Sequence, residues 1–373
     1  MTRVNGLEVY TYENGDDVPV PENSERFQIV EAISHLALAV HESPEGRRRL
    51  VQVATEVVRQ RNHPGKGKPP VPHIYNHPIE EMPHWIDVFL RRMRANFPGV
   101  RLNRTDGEAA AQKKTWGTDM NRWDPKEAGF FEFQIMIINN MIHARRLEPN
   151  VARLNYSRFK FQMVISVAHE MVHLLVGYLT GSHSPPTPPG VTLTPFGNTV
   201  SGESGRYWES ILLGGVVEFY QDRNDPLEAR QAGVPWLIQD GRNNVSARMV
   251  SMDYINRFLN GNFLFPVRTS SSVPETDRNG LRGISPEMAD VRARAARRRN
   301  NPADASLQVG SSSANSTMSY RRPPQGDQRY AGYFPPQDPY GSSQAGPSYT
   351  NSSTSRYDYD NYNRGYGGYG HRR

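Results

Sequence analysis

The chain has 373 residues, 36% of them hydrophobic and 22% charged, with 31 Gly, 29 Pro and no Cys. That length suits one large domain plus an appendage. Zero cysteines exclude a disulfide framework, thiolate-ligated zinc, iron–sulfur clusters and a cysteine nucleophile, so any metal must be held by His, Asp or Glu. The net charge is +6, but residues 268–373 hold 15 Arg, no Lys and 9 acidic residues, so the whole excess lies in that stretch.

Residues 1–25 read as a short disordered leader. Met1 to Tyr12 lacks the apolar core of a signal peptide, and no stretch approaches the roughly 18 apolar residues of a membrane span. The expectation is an intracellular protein, cytoplasmic or nuclear, with no membrane contact. Residues 26–267 are expected to form one α+β domain, mainly helical with a small sheet. Ile29, Ile33, Leu36 and Val40, flanked by Phe27 and Val30, recur at three and four and predict one helix. Arg49–Arg59, with Leu50, Val53 and Val57, predicts a second. His63–Pro83 is too rich in proline for regular structure, and His84–Phe97 resumes the helical period with Trp85, Val88, Phe89 and Met93. Gly129–Asn139 is crowded with β-branched and aromatic residues and predicts a strand. Leu154–Leu179 predicts a long helix. Glu203–Tyr220 predicts another, in which Gly214-Gly215 points to the close approach of a second backbone, such as that of the long helix.

Residues 268–373 read as a disordered tail rich in Arg, Tyr, Gly and Ser. After Arg299 only Leu307, Val309 and Met318 represent the large aliphatic class, so an ordering cost of about 1–2 kcal/mol per residue would go uncompensated. Arg292, Arg294, Arg297, Arg298 and Arg299 form a basic cluster, and Tyr recurs from Tyr320 to Tyr369 among Arg, Gly and Asn. Such a segment reads first as a passive, solvated tail, with RNA or protein contacts through stacking and cation–π interactions as the alternative.

Within the long helix lies His169-Glu170-Met171-Val172-His173, the HExxH pattern. Residues four apart sit one above the other on a helix face, so both imidazoles can reach one Zn²⁺. Glu170 projects about 100° away. There it can reach a water on the metal and serve as general base.

In this motif, and in the order of strand, HExxH helix and later helix over Gly129–Tyr220, the chain resembles the zincin metallopeptidases. It is also similar to a group of fungal HExxH proteins. The resemblance implies a zinc-dependent peptidase, with His169 and His173 as ligands, Glu170 as base, a peptide or protein substrate, and Phe130–Asn139 offering its edge to that substrate. The metzincin continuation is absent, since Val176 and Leu179 stand where its Gly and His would be. Gluzincins take a glutamate from a following helix, which makes Glu209 the expected third ligand. Glu209 shares a face with Leu212, Leu213 and Val216, where a carboxylate needs compensation. Glu203 follows Ser201 and Gly202 and reads first as a helix-start residue. Glu218 and His183 are further candidates, and Tyr207, Arg206, Tyr178 and His183 could stabilise a transition state. The alternative is a catalytically degenerate zincin scaffold acting as a protein- or RNA-binding factor through its tail.

Overall fold

A computed structural model describes residues 3–270, except 14, 106, 147–148, 184–186, 194–200, 221–230 and 241–244. The basic cluster Arg292–Arg299 and the Tyr series from Tyr320 lie outside the described residues, as does nearly all of the stretch read as a tail.

The chain begins with a hairpin, β1 (Val9–Glu13) and β2 (Asp16–Pro19), whose turn places Gly15 at φ 101°, a conformation that favours glycine. Strand β1 also pairs in parallel with β3 (Gly99–Asn103), and Val4 and Val9 are buried. The expected leader is therefore corrected: it supplies two strands of the main sheet. Helices α1 (Glu25–Glu42) and α2 (Pro44–Asn62) follow. Ser24 Oγ accepts the Phe27 N–H at the start of α1, and Ser43 both closes α1 and caps α2, accepting from Gly46 N–H ahead of a first-turn proline. Helix α3 (Met82–Ala95) buries Trp85, Phe89 and Met93, as its spacing predicts.

Strands β4 (Ala109–Lys113) and β5 (Gly129–Gln134), with the short α4 (Pro125–Ala128) between them, complete a five-stranded sheet ordered β2-β1-β3-β5-β4. β3 and β5 run parallel, while β4 is antiparallel to β5 and forms an edge. The strand expected over Gly129–Asn139 stops at Gln134. Gln134 Oε1 accepts the Met136 N–H, and α5 (Ile135–Arg145) begins. Its Ile137, Ile138, Met141 and Ala144 are buried along one helical face, so packing overrides the β preference of Ile-Met-Ile-Ile.

Helix α6 (Pro149–Thr180) runs through the middle of the domain, against α1, α5, α7 (Ser204–Leu213), α8 (Met252–Leu259) and β4. Among the described residues it alone is long and apolar enough to cross a membrane, and 89% of its most apolar window is buried inside the protein. Its apolarity is consumed by the core, where Phe161, Met163, Val164, Val167 and Leu175 meet the inward faces of the surrounding helices.

The helix expected over Glu203–Tyr220 ends at Leu213. Gly214, at φ 82°, terminates it, and β6 (Val216–Tyr220) pairs with β7 (Val234–Asp240), which pairs with β8 (Val245–Met249), all antiparallel. A Cβ on Gly215 would stand 2.4 Å from the Ile238 carbonyl oxygen. The second backbone inferred from Gly214-Gly215 is that of β7.

Candidate metal centre

Helix α6 presents His169, Glu170 and His173 side by side, with possible ligand atoms all within 4.8 Å of one another. The two Nε2 atoms face each other at 3.3 Å. Opposite them stands the N-terminus of α7. Glu203 Oε1 is 2.7 Å from His173 Nε2 and 3.3 Å from His169 Nε2. Ligands about 2.0–2.1 Å from a tetrahedral zinc stand about 3.3 Å apart. Two sides of this triangle have that length, and the third has the length of a charge-assisted hydrogen bond. Two imidazole nitrogens and one carboxylate oxygen are a donor set suited to zinc.

Local sequence explains why Glu203 arrives there. The turn at Thr187–Val191 grips the approach to α7: Gly202 N–H donates to Thr187 O at 3.2 Å and Glu203 N–H to Val191 O at 3.0 Å. A Cβ on Gly202 would lie 2.1 Å from Pro188 O, so the approach requires glycine. Glu203 Oε2 then accepts the Arg206 N–H as the helix cap. Gly205 brings its backbone onto the His169 ring, and a Cβ there would fall 2.3 Å from Nε2.

The far side of each ring is also held. Glu209 Oε1 accepts from His169 Nδ1 at 2.5 Å, and Arg206 Nη1 donates to both Glu209 oxygens, at 3.1 and 3.0 Å. His173 Nδ1 lies 3.2 Å from Ser204 Oγ. These contacts direct both Nε2 atoms inward. Burial opposes charge on His169, but Glu203 and Glu209 outweigh it and raise its pKa to about 10; His173 is raised, and Glu203 is held well below the usual carboxylate range by the two rings. Any cation at these nitrogens would compete with protons for them.

Glu209, the expected third ligand, is buried as its helical face predicts, but it is aimed at the wrong edge of His169. Its charge is compensated by Arg206 and the imidazole, and the place facing both Nε2 atoms is taken by Glu203. His183 is exposed beyond the end of α6, and Glu218 bonds the Tyr220 hydroxyl on β6. Tyr178 packs on Trp123 and Phe89 in the core, and Arg206 serves Glu209.

No family model matches the chain, and neither does any curated protein or solved structure.

What the site can do rests on its own atoms. Glu170 Oε2 accepts the backbone N–H of Ala111 at 2.8 Å, and Oε1 is 3.9 Å from His169 Nε2. The carboxylate therefore stands between the edge strand β4 and the donor triangle. β5, which the resemblance implied would offer the substrate-pairing edge, is flanked on both sides by β3 and β4, whereas β4 is an outer strand of the sheet. His173 is the most accessible of the four side chains, at 27% exposure against 15% or less for the others, so the centre opens on its side. There the chain after β4 crosses α6. The Trp116 ring lies against Gly177, with φ at Trp116 of 49°, a conformation that costs a non-glycine residue on the order of 1–2 kcal/mol.

Proposed function

We propose that the chain is a zinc-dependent peptidase of the HExxH type, its α+β domain zincin-like, with His169, His173 and Glu203 as metal ligands and Glu170 as general base. The observation that carries this reading is the convergence of His169 Nε2, His173 Nε2 and Glu203 Oε1, 2.7–3.3 Å apart, with each Nδ1 engaged from behind. Hydrogen-bonded acid–imidazole pairs stabilise a core without any ion, but they do not require two Nε2 atoms turned toward each other.

Bound zinc would polarise a peptide carbonyl and lower the pKa of a water. The protein's own groups do the rest. Ala111 N–H fixes one oxygen of Glu170. The other is left to take the proton of the attacking water and pass it to the departing amine. Among the described strands β4 pairs with β5 alone, so an extended peptide can lie along its other edge, beside the Ala111 N–H that Glu170 takes, and bring a carbonyl past Glu170.

The test is Glu170→Gln. Peptide turnover is expected to fall by about two to four orders of magnitude, while the zinc content of the purified protein stays equal to that of the wild type. Undiminished turnover would remove Glu170 from its role, and a wild-type protein that takes up no zinc would remove the reading altogether.

A further inference from the structure

We propose that Trp116 forms a binding subsite for a large apolar side chain of the peptide substrate, Phe or Leu, two or three residues from the bond that is cut; this rests on the peptidase reading. At about 100° per residue, Gly177 falls about 20° from Glu170 and about 40° from His173 around α6, on the face that carries the site. It lies about 6 Å beyond His173 and about 10 Å beyond Glu170 along the axis, and an extended peptide advances about 3.3 Å per residue. A Cβ on Gly177 would stand 2.5–2.9 Å from three atoms of the Trp116 indole. The ring thus lies flat on the helix at a position where only glycine admits it.

The backbone of Trp116 is strained, and its surroundings hold it there. Lys114 N–H and Trp116 N–H both donate to Ala128 O, Thr115 Oγ1 donates to Glu127 O, and Ser182 Oγ donates to Thr115 O. Strain maintained by so many contacts beside a reactive centre marks a positioned group. The indole is half-buried, and its approach from solvent is shared with the exposed Lys113, whose Nζ is 5.3 Å from the ring centroid. Moving one exposed cation off a ring costs less than burying a large apolar side chain on it gains.

The test uses the full chain carrying Glu170→Gln, so that bound peptide is not turned over. Labelled peptides in which a Phe is walked along a Gly/Ser sequence are titrated and followed by fluorescence anisotropy. At one position two or three residues from the cleavage point, which wild-type digestion identifies, Phe is expected to bind about tenfold more tightly than Gly. Trp116→Ala should bring that ratio close to one, and Trp116→Phe should keep part of it. Gly177→Ala, which pushes the indole off α6 without removing it, should also reduce the ratio; it serves if Trp116→Ala fails to fold. A ratio unchanged in the folded variants, or a preference for Asp or Glu over Phe, overturns the subsite. Cleavage by the wild type with no side-chain preference at any position overturns the subsite and leaves the peptidase reading standing; a wild type that neither binds nor cleaves any peptide removes both.

Discussion

Glu203 gives its two oxygens to different partners, Oε2 to the Arg206 N–H and Oε1 to the pair of imidazoles. Sequence offers capping and ligation as rival roles for this residue, because a single letter does not show that the cap geometry leaves one oxygen free. The gluzincin resemblance and the cost of burying a carboxylate both favour Glu209. That cost is real, and Arg206 offsets it. The two residues therefore separate in a binding experiment. Glu203→Gln replaces a charged donor and should weaken zinc by more than about a hundredfold, whereas Glu209→Gln disturbs only the orientation of His169 and should cost about 10–100-fold. Competition with a chromophoric chelator measures both, and the opposite order would return Glu209 to the metal. His169, Glu170 and His173 were legible because i and i+4 share a helix face; Ser204 and Gly205 were not, since nothing local marks a glycine whose missing Cβ admits a ring from another helix.

At the level of elements, the helices with a clear three–four period are legible in the sequence, and β4, the strand beside Glu170, is not. β4 reads Ala-Ala-Ala-Gln-Lys, with neither alternation nor β-branching, and exists because β5 is there to pair with it. β5 is legible, but its end is not, since the Ile-rich run after Gln134 suits a strand as well as a buried helix. The packing of α1 on α6 carries its own signature. His41 on α1 is fully buried, its Nε2 bonds the carbonyl of Ala168 at 2.8 Å, and its ring meets Trp208 at 4.8 Å. Burial lowers its pKa from 6.5 to about 4, partly opposed by the bond to Ala168. The folded protein thus keeps His41 neutral where the unfolded chain binds a proton. The stability this contributes is complete above about pH 6.5 and is lost as the pH falls toward 4, by about 3 kcal/mol in all. Every group whose proton affinity changes on folding adds to the pH dependence of stability, so the comparison must be with a variant. His41→Phe should lower the urea midpoint at neutral pH and make its fall between pH 6.5 and 4 shallower than in the wild type. Equal slopes would show that His41 is not held neutral.

Over the whole molecule, the proposed ligands join two helices that are far apart in sequence. α6 passes through the core and is fixed by apolar contact on nearly every side. α7 begins at the turn gripped by Thr187–Val191 and reaches α6 through Glu203 and the backbone of Gly205. An ion held by His169, His173 and Glu203 binds only the folded arrangement, so it adds to global stability by mass action, about 2.7 kcal/mol at a concentration a hundredfold above its Kd. For a domain of this size each kcal/mol is worth about 2–4 °C in Tm. Chelation should therefore lower Tm by roughly 5–10 °C, and zinc should restore it. Calcium and magnesium should not, because imidazole nitrogen is a poor ligand for both. Scanning calorimetry with the chelator dialysed away before the metals are added back separates the cases: a Tm indifferent to chelation and to zinc would mean that the imidazoles and Glu203 form only a hydrogen-bonded core cluster. In that event Glu203→Gln should cost stability with or without metal, whereas a ligand role confines most of its cost to the zinc-loaded protein.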